Sequence, residues 1–89
     1  MNAEFLMSVS EGSATAYLMS VWGRTWLMMD GVTNGRIALR RFKALKAWAD
    51  QMGIGPIHAV SRAPRLVEWI GFVDTGERAG TQKVYVYAE

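Results

Sequence analysis

The sequence predicts one α/β domain, of the α+β kind, with a mixed sheet and the element order β-β-β-α-β-α-β-β. Three patterns carry that expectation. Residues 14 to 29 read as paired strands around Gly23, the run Ala38, Phe42, Leu45, Ala49, Met52 recurs at helical spacing, and residues 72 to 88 return to strand character around Gly76 and Gly80. Eighty-nine residues cannot fill two cores and still offset the entropy of ordering each, so residues 1–89 form a single domain.

Each element has its own signature. Glu4 to Val9 is a first strand, followed by a turn at Glu11-Gly12-Ser13. Ala14 to Trp22 alternates Thr15, Tyr17, Met19 and Val21 against Ala16, Leu18, Ser20 and Trp22, and Gly23-Arg24 reverses the chain into a third strand, Thr25 to Met29. Trp26, Leu27, Met28 and Met29 make both faces of that strand apolar, as expected for a strand covered on both sides. After the loop from Asp30 to Gly35, a helix is predicted over Gly35 to Met52, its apolar stripe spaced four, three, four and three, with Gly53 placed for a left-handed cap. Pro56 to Ser61 is a short strand reached through that helix, hence parallel to the third and joined to it by a right-handed crossover. Pro64 suits the first turn of a second helix ending at Ile70 and Gly71. Phe72 to Thr75 and Lys83 to Ala88 form a closing hairpin around the loop Gly76 to Gly80, with Val84 and Val86 on one face and Tyr85 and Tyr87 on the other.

Half the residues are hydrophobic and a fifth are charged, which excludes general disorder. Four Trp and six Met exceed what a two-layer domain of this size hides, so a homo-oligomer or a larger protein assembly is expected. With no cysteine there is neither a disulfide framework nor a thiolate metal site, and one histidine leaves only scattered carboxylates as other ligands, so no metal is expected. The N-terminal residues lack a basic-then-apolar leader and the longest uncharged run, Gly12 to Gly23, is too short to cross a bilayer, so a cytoplasmic protein with no membrane partner is expected.

Net charge is +2, but its distribution is uneven. Residues 31 to 65 carry seven basic side chains against Asp50 alone, a local charge of +6, and the remainder carries −4. Arg36, Arg40 and Arg41 occupy the first turns of the long helix, where positive charge opposes the macrodipole by some tenths of a kcal/mol each. That placement marks a surface for an anion: a phosphate-bearing cofactor, a nucleic-acid backbone or an acidic protein. No nucleic-acid motif, catalytic Ser/His/Asp arrangement, paired carboxylates or Walker-type loop accompanies it.

The stretch Ser61-Arg62-Ala63-Pro64-Arg65-Leu66-Val67-Glu68-Trp69-Ile70-Gly71-Phe72 resembles the pattern Asn-x-x-Ala-x-x-Φ-Tyr-x-x-Φ-Gly-Phe (Φ apolar) of the GNAT-type N-acetyltransferase superfamily, with a shift of one near its start. Phe42 to Gly53 is similar to that superfamily's helix after the pyrophosphate loop, which ends in Ala-x-x-x-Gly. The likeness covers Ala14 to Glu89 and implies a GNAT-like fold lacking the first strand and two N-terminal helices, a truncated and degenerate member. The loop Gly31-Val32-Thr33-Asn34-Gly35-Arg36-Ile37-Ala38 keeps Gly35 and Ala38 of the superfamily's Gln/Arg-x-x-Gly-x-Gly/Ala spacing, and Val67 falls where a proton-donating tyrosine often stands.

The resemblance implies acetyl-CoA as cofactor, held by backbone N–H groups at Asn34, Gly35 and Arg36 and by the side chains of Arg36 and Arg40, with an amine as acetyl acceptor. His58, Glu68, Tyr85 and Tyr87 are the remaining acid–base candidates. Against those roles stand plainer ones, a hydrogen-bonded strand histidine and packing tyrosines. Trp22 and Trp26 would flank the gap between the parallel strands. The alternative function is a non-catalytic interaction or structural protein of the same fold, for example virus-encoded, that binds a protein or nucleic-acid partner through its basic and apolar surfaces.

Overall fold

The computed structural model of the chain describes residues 3–11, 14–30, 34–61 and 64–87. The strands are β1 (Ala3–Glu11), β2 (Ala14–Val21), β3 (Arg24–Asp30), β4 (Ile57–Val60), β5 (Phe72–Ala79) and β6 (Gln82–Tyr87); the helices are α1 (Gly35–Gln51) and α2 (Pro64–Ile70). The element order is the expected one. Readings that fall on Gly12, Ser13, Gly31 to Thr33, Arg62, Ala63 or Ala88 lie outside the described residues.

The six strands form one open mixed sheet in the order β1-β2-β3-β4-β6-β5. Only β3 and β4 are parallel neighbours, through Thr25↔Ile57, Trp26↔His58 and Leu27↔Ala59. β6 inserts antiparallel between β4 and β5, which makes β4 and β5 parallel to each other. The crossovers β3-α1-β4 and β4-α2-β5 therefore move the same way along the sheet, and right-handed connections then place both helices on one face. Packing agrees. Ala38, Phe42, Leu45 and Ala49 of α1 join Val67 and Ile70 of α2 in a single cluster with the inward side chains of the strands.

This arrangement corrects the reading of β3 as covered on both sides. Thr25 and Leu27 are buried toward the helices, whereas Met28, on the opposite face, is 41% exposed. With both helices on one side, the described residues put no helix over the other.

Local chemistry sets the ends of α1. The Asn34 side chain caps its start, and the helix closes in a Schellman pattern, with Ile54 N–H donating to Ala49 O (2.8 Å) and Gly53 N–H to Asp50 O (3.2 Å). Gly53 has φ +69°, as its position required. Met52 is thereby the C-cap rather than a member of the buried stripe, and it is exposed.

Two turns differ from expectation. The β2–β3 hairpin turns on Trp22 and Gly23, with φ of 53° and 78°, one residue earlier than Gly23-Arg24. Two consecutive positive φ values match the hairpin's twist, which Asn-Gly usually supplies; here a bulky tryptophan takes the first place. In the closing hairpin, Gly76 to Ala79 continue β5 instead of forming a loop. A bulge between Asp74 and Arg78 absorbs the extra residues: Gly76 N–H donates to Asp74 Oδ1 (2.8 Å), Glu77 N–H to Thr75 Oγ1 (3.1 Å), and the Thr75 hydroxyl to Val84 O (2.9 Å). The bulged strand reaches β3, where the Arg24 guanidinium grips both Glu77 oxygens at 2.9 and 3.0 Å.

Candidate functional site

Both helices begin just beyond the carboxyl ends of the parallel strands β3 and β4, where open α/β sheets form ligand crevices. Between the helix starts lies a cleft of about 710 Å³, lined by Asn34, Gly35, Arg36, Arg65, Leu66 and Trp69. Gly35 faces α2: a Cβ there would meet Leu66 at 3.5 Å and the Trp69 ring at 3.6 Å, an ordinary van der Waals contact. Arg36 and Arg65 are exposed, and the first turn of α1 contains no acidic residue. Along α1 the first carboxylate is Asp50, which is bonded to Lys46 at 2.6 Å.

The helix N-terminus is already partly satisfied. Asn34 Oδ1 accepts the N–H of Arg36 at 2.9 Å and that of Ile37 at 3.3 Å, and Asn34 O accepts Ala38 N–H at 3.0 Å. An anion entering the cleft meets guanidinium groups first, and gains the Arg36 and Ile37 N–H groups only if the Asn34 side chain gives them up.

Of the residues singled out in the sequence, Asn34, Gly35 and Arg36 come together in this cleft, while Arg40 lies one turn further along α1 on the outer surface. The four acid–base candidates are scattered. Tyr85 is 1% exposed in the core beneath the helices. Tyr87 packs on Phe42 (ring centroids 4.7 Å) and Phe72 (5.5 Å), under the Lys46 ammonium, and does not line the cleft. Glu68 is exposed on α2. His58 pairs with Trp26 and Val86 in mid-sheet, lies against the Trp26 ring at 5.3 Å with the rings tilted by 43°, and has its Nδ1 buried with no hydrogen-bond partner among the described residues. Trp26 puts that contact on the face away from the helices. Val67 is buried in the core.

Arg65, Leu66 and Trp69 complete the cleft, and sequence reading did not assign them to it. Arg65 was visible within the basic segment. Trp69 gave no signal, because an aromatic residue on a short amphipathic helix reads as core, whereas here it is 57% exposed at the cleft wall.

Comparison with protein-family models, characterised proteins and solved structures finds no match in any of the three. Among the described residues, no helix is long and apolar enough to cross a membrane.

Proposed function

We propose that the chain is a small GNAT-like N-acetyltransferase that binds acetyl-CoA in the α1–α2 cleft. The observation that carries this reading is the convergence of Arg36, Arg65 and the start of α1 on a cleft of about 710 Å³ at the carboxyl ends of the parallel strands. The cleft is shallow and wide open to solvent, so a ligand would lie along it. The two guanidinium groups suit a pyrophosphate, and the exposed Trp69 ring and Leu66 offer an apolar wall to the rest of the cofactor.

Tyr85 and Val67 are buried and His58 is on the other face, and among the described residues that line the cleft none is a general acid or base. The reaction is then direct attack of a neutral amine on the thioester carbonyl. The C–N bond forms, the C–S bond breaks, the ammonium proton passes to solvent and the thiolate of coenzyme A departs, so the protein contributes positioning.

Thermal melting in the presence of acetyl-CoA tests the reading. At ten times Kd the ligand adds about 1.4 kcal/mol of stability, a rise of roughly 5 to 10 °C for a domain of this size. Arg36→Glu with Arg65→Glu removes the rise, and release of free thiol on adding an amine reports transfer. A wild-type melting temperature indifferent to acetyl-CoA sinks the proposal. A second reading, a non-catalytic interaction module, is favoured by the helix-free apolar sheet face.

A further inference from the structure

The sheet face opposite the helices is apolar and open. Phe5 pairs with Met19, Met19 with Trp26, Met28 with Tyr17 and Val73 with Val86, so these side chains share that face across the strands. Of the large hydrophobic residues exposed among the described ones, Phe5 (58%), Met28 (41%) and Val73 (47%) stand on it, and Trp22 (72%) projects from its β2–β3 corner. A groove of about 570 Å³ crosses the face, walled by Met19, Trp22, Trp26 and Met28 on one side and by Ala79 and Gln82 of the hairpin on the other. The charged pair at its edge, Arg24 and Glu77, is mutually neutralised.

We propose that this face is the interface of a two-fold homodimer, sheet packed on sheet, with Trp22 of each copy seated in the groove of the other. Three observations favour a second copy as occupant. The area is right: six strands about 4.8 Å apart and about seven residues long give a face of roughly 29 by 23 Å, or about 650 Å² before side-chain relief, near the roughly 800 Å² each partner contributes to a standard interface. The chemistry is self-complementary, since one surface offers both a projecting aromatic knob and an apolar hole, as an isologous contact requires. Trp22 is also held in a left-handed conformation, φ 53°, that a bulky side chain adopts only under strain. Strain at an exposed tryptophan beside an open groove is accounted for if the side chain must stand where a partner receives it.

The interface is independent of the cofactor cleft, which lies on the helix side. Sedimentation equilibrium of the full chain between 1 and 100 μM, in low salt and in 1 M NaCl, reads it directly. The expected result is a dimer whose affinity is unchanged or strengthened by salt. Met28→Lys weakens dimerisation at least tenfold, and Trp69→Glu, on the helix side, leaves it unchanged. Trp22→Asn is the sharper variant: it puts Asn-Gly at a turn that favours it, so the dimer weakens at least tenfold while the melting temperature, measured below the dissociation concentration, stays level or rises. A wild-type chain that is monomeric at 100 μM overturns the proposal. So does a dimer that salt dissolves, which would assign assembly to the basic helix, or one that survives both Met28→Lys and Trp22→Asn.

Discussion

Asn34 holds the backbone N–H of Arg36 at 2.9 Å, so the backbone of one of the two arginines of the cleft is fixed in place by its neighbour two positions earlier. The same side chain stabilises the helix and competes with any anion for its N-terminus.

Asn34→Ala separates those roles. Loss of the cap costs about 1 kcal/mol, an apo melting temperature lower by roughly 4 to 8 °C. The two released N–H groups then become available to a ligand phosphate, and acetyl-CoA raises the melting temperature of the variant by more than it raises that of wild type. An equal or smaller rise would show that the N–H groups of Arg36 and Ile37 take no part in binding.

Gly71 and Tyr87 form a second dependent pair. Gly71 has φ +125°, and a Cβ there would lie 2.9 Å from the Tyr87 ring, which packs against Phe42 and Phe72 and cannot retreat without disturbing the core. Gly53, at φ +69°, has nothing within 4 Å of such a Cβ. Gly53→Ala therefore costs about 1 kcal/mol from backbone conformation alone, and Gly71→Ala costs about 3 kcal/mol because overpacking is added. Urea denaturation of both variants measures the difference. Equal losses would remove the steric contribution of Tyr87.

The hairpin that leans on β3 is held by two carboxylates. The hydrogen bond from Arg24 holds Glu77 below the usual carboxylate range, with smaller contributions from the charges of Arg24 and His58; the Gly76 N–H does the same for Asp74, helped by Lys83. A depressed folded pKa means stability that is present above the ordinary carboxylate range and lost as pH falls through the lower folded value. The hairpin is thus expected to hold from neutral pH down to about pH 4 and to loosen below it. Near-UV circular dichroism of the neighbouring Trp22 and Trp26 follows this, and Glu77→Gln shrinks the acid-dependent change. A variant with an undiminished acid transition would assign that transition elsewhere.

The long helix was legible because its determinants are local: an apolar stripe spaced four, three and four from Ala38 to Ala49, and a glycine after it. Turn positions were less so. Sequence placed the β2–β3 reversal at Gly23-Arg24, and the structure sets Trp22, a poor left-handed residue, in that conformation. Likewise Gly76 reads as a loop residue, yet hydrogen bonds donated by the Gly76 and Glu77 N–H groups to the Asp74 and Thr75 side chains turn the segment into a bulge within β5. At the candidate site, Asn34, Gly35 and Arg36 were found because they are contiguous. Arg65 and Trp69 were not, because they reach the cleft only through the packing of α2 on α1.

By itself the sequence determined the number, kind and order of the elements, the inward stripe of α1 and the basic bias around it, since each depends on spacing within a few residues. The tertiary structure decided that β6 lies between β4 and β5, that both helices cover the same face, and that one aromatic-rich face stays open. It also decided which basic residues share a cleft and which candidate tyrosine is buried. These outcomes depend on contacts between residues far apart in the chain, where strand pairing and crossover handedness, rather than any local pattern, fix what each side chain meets.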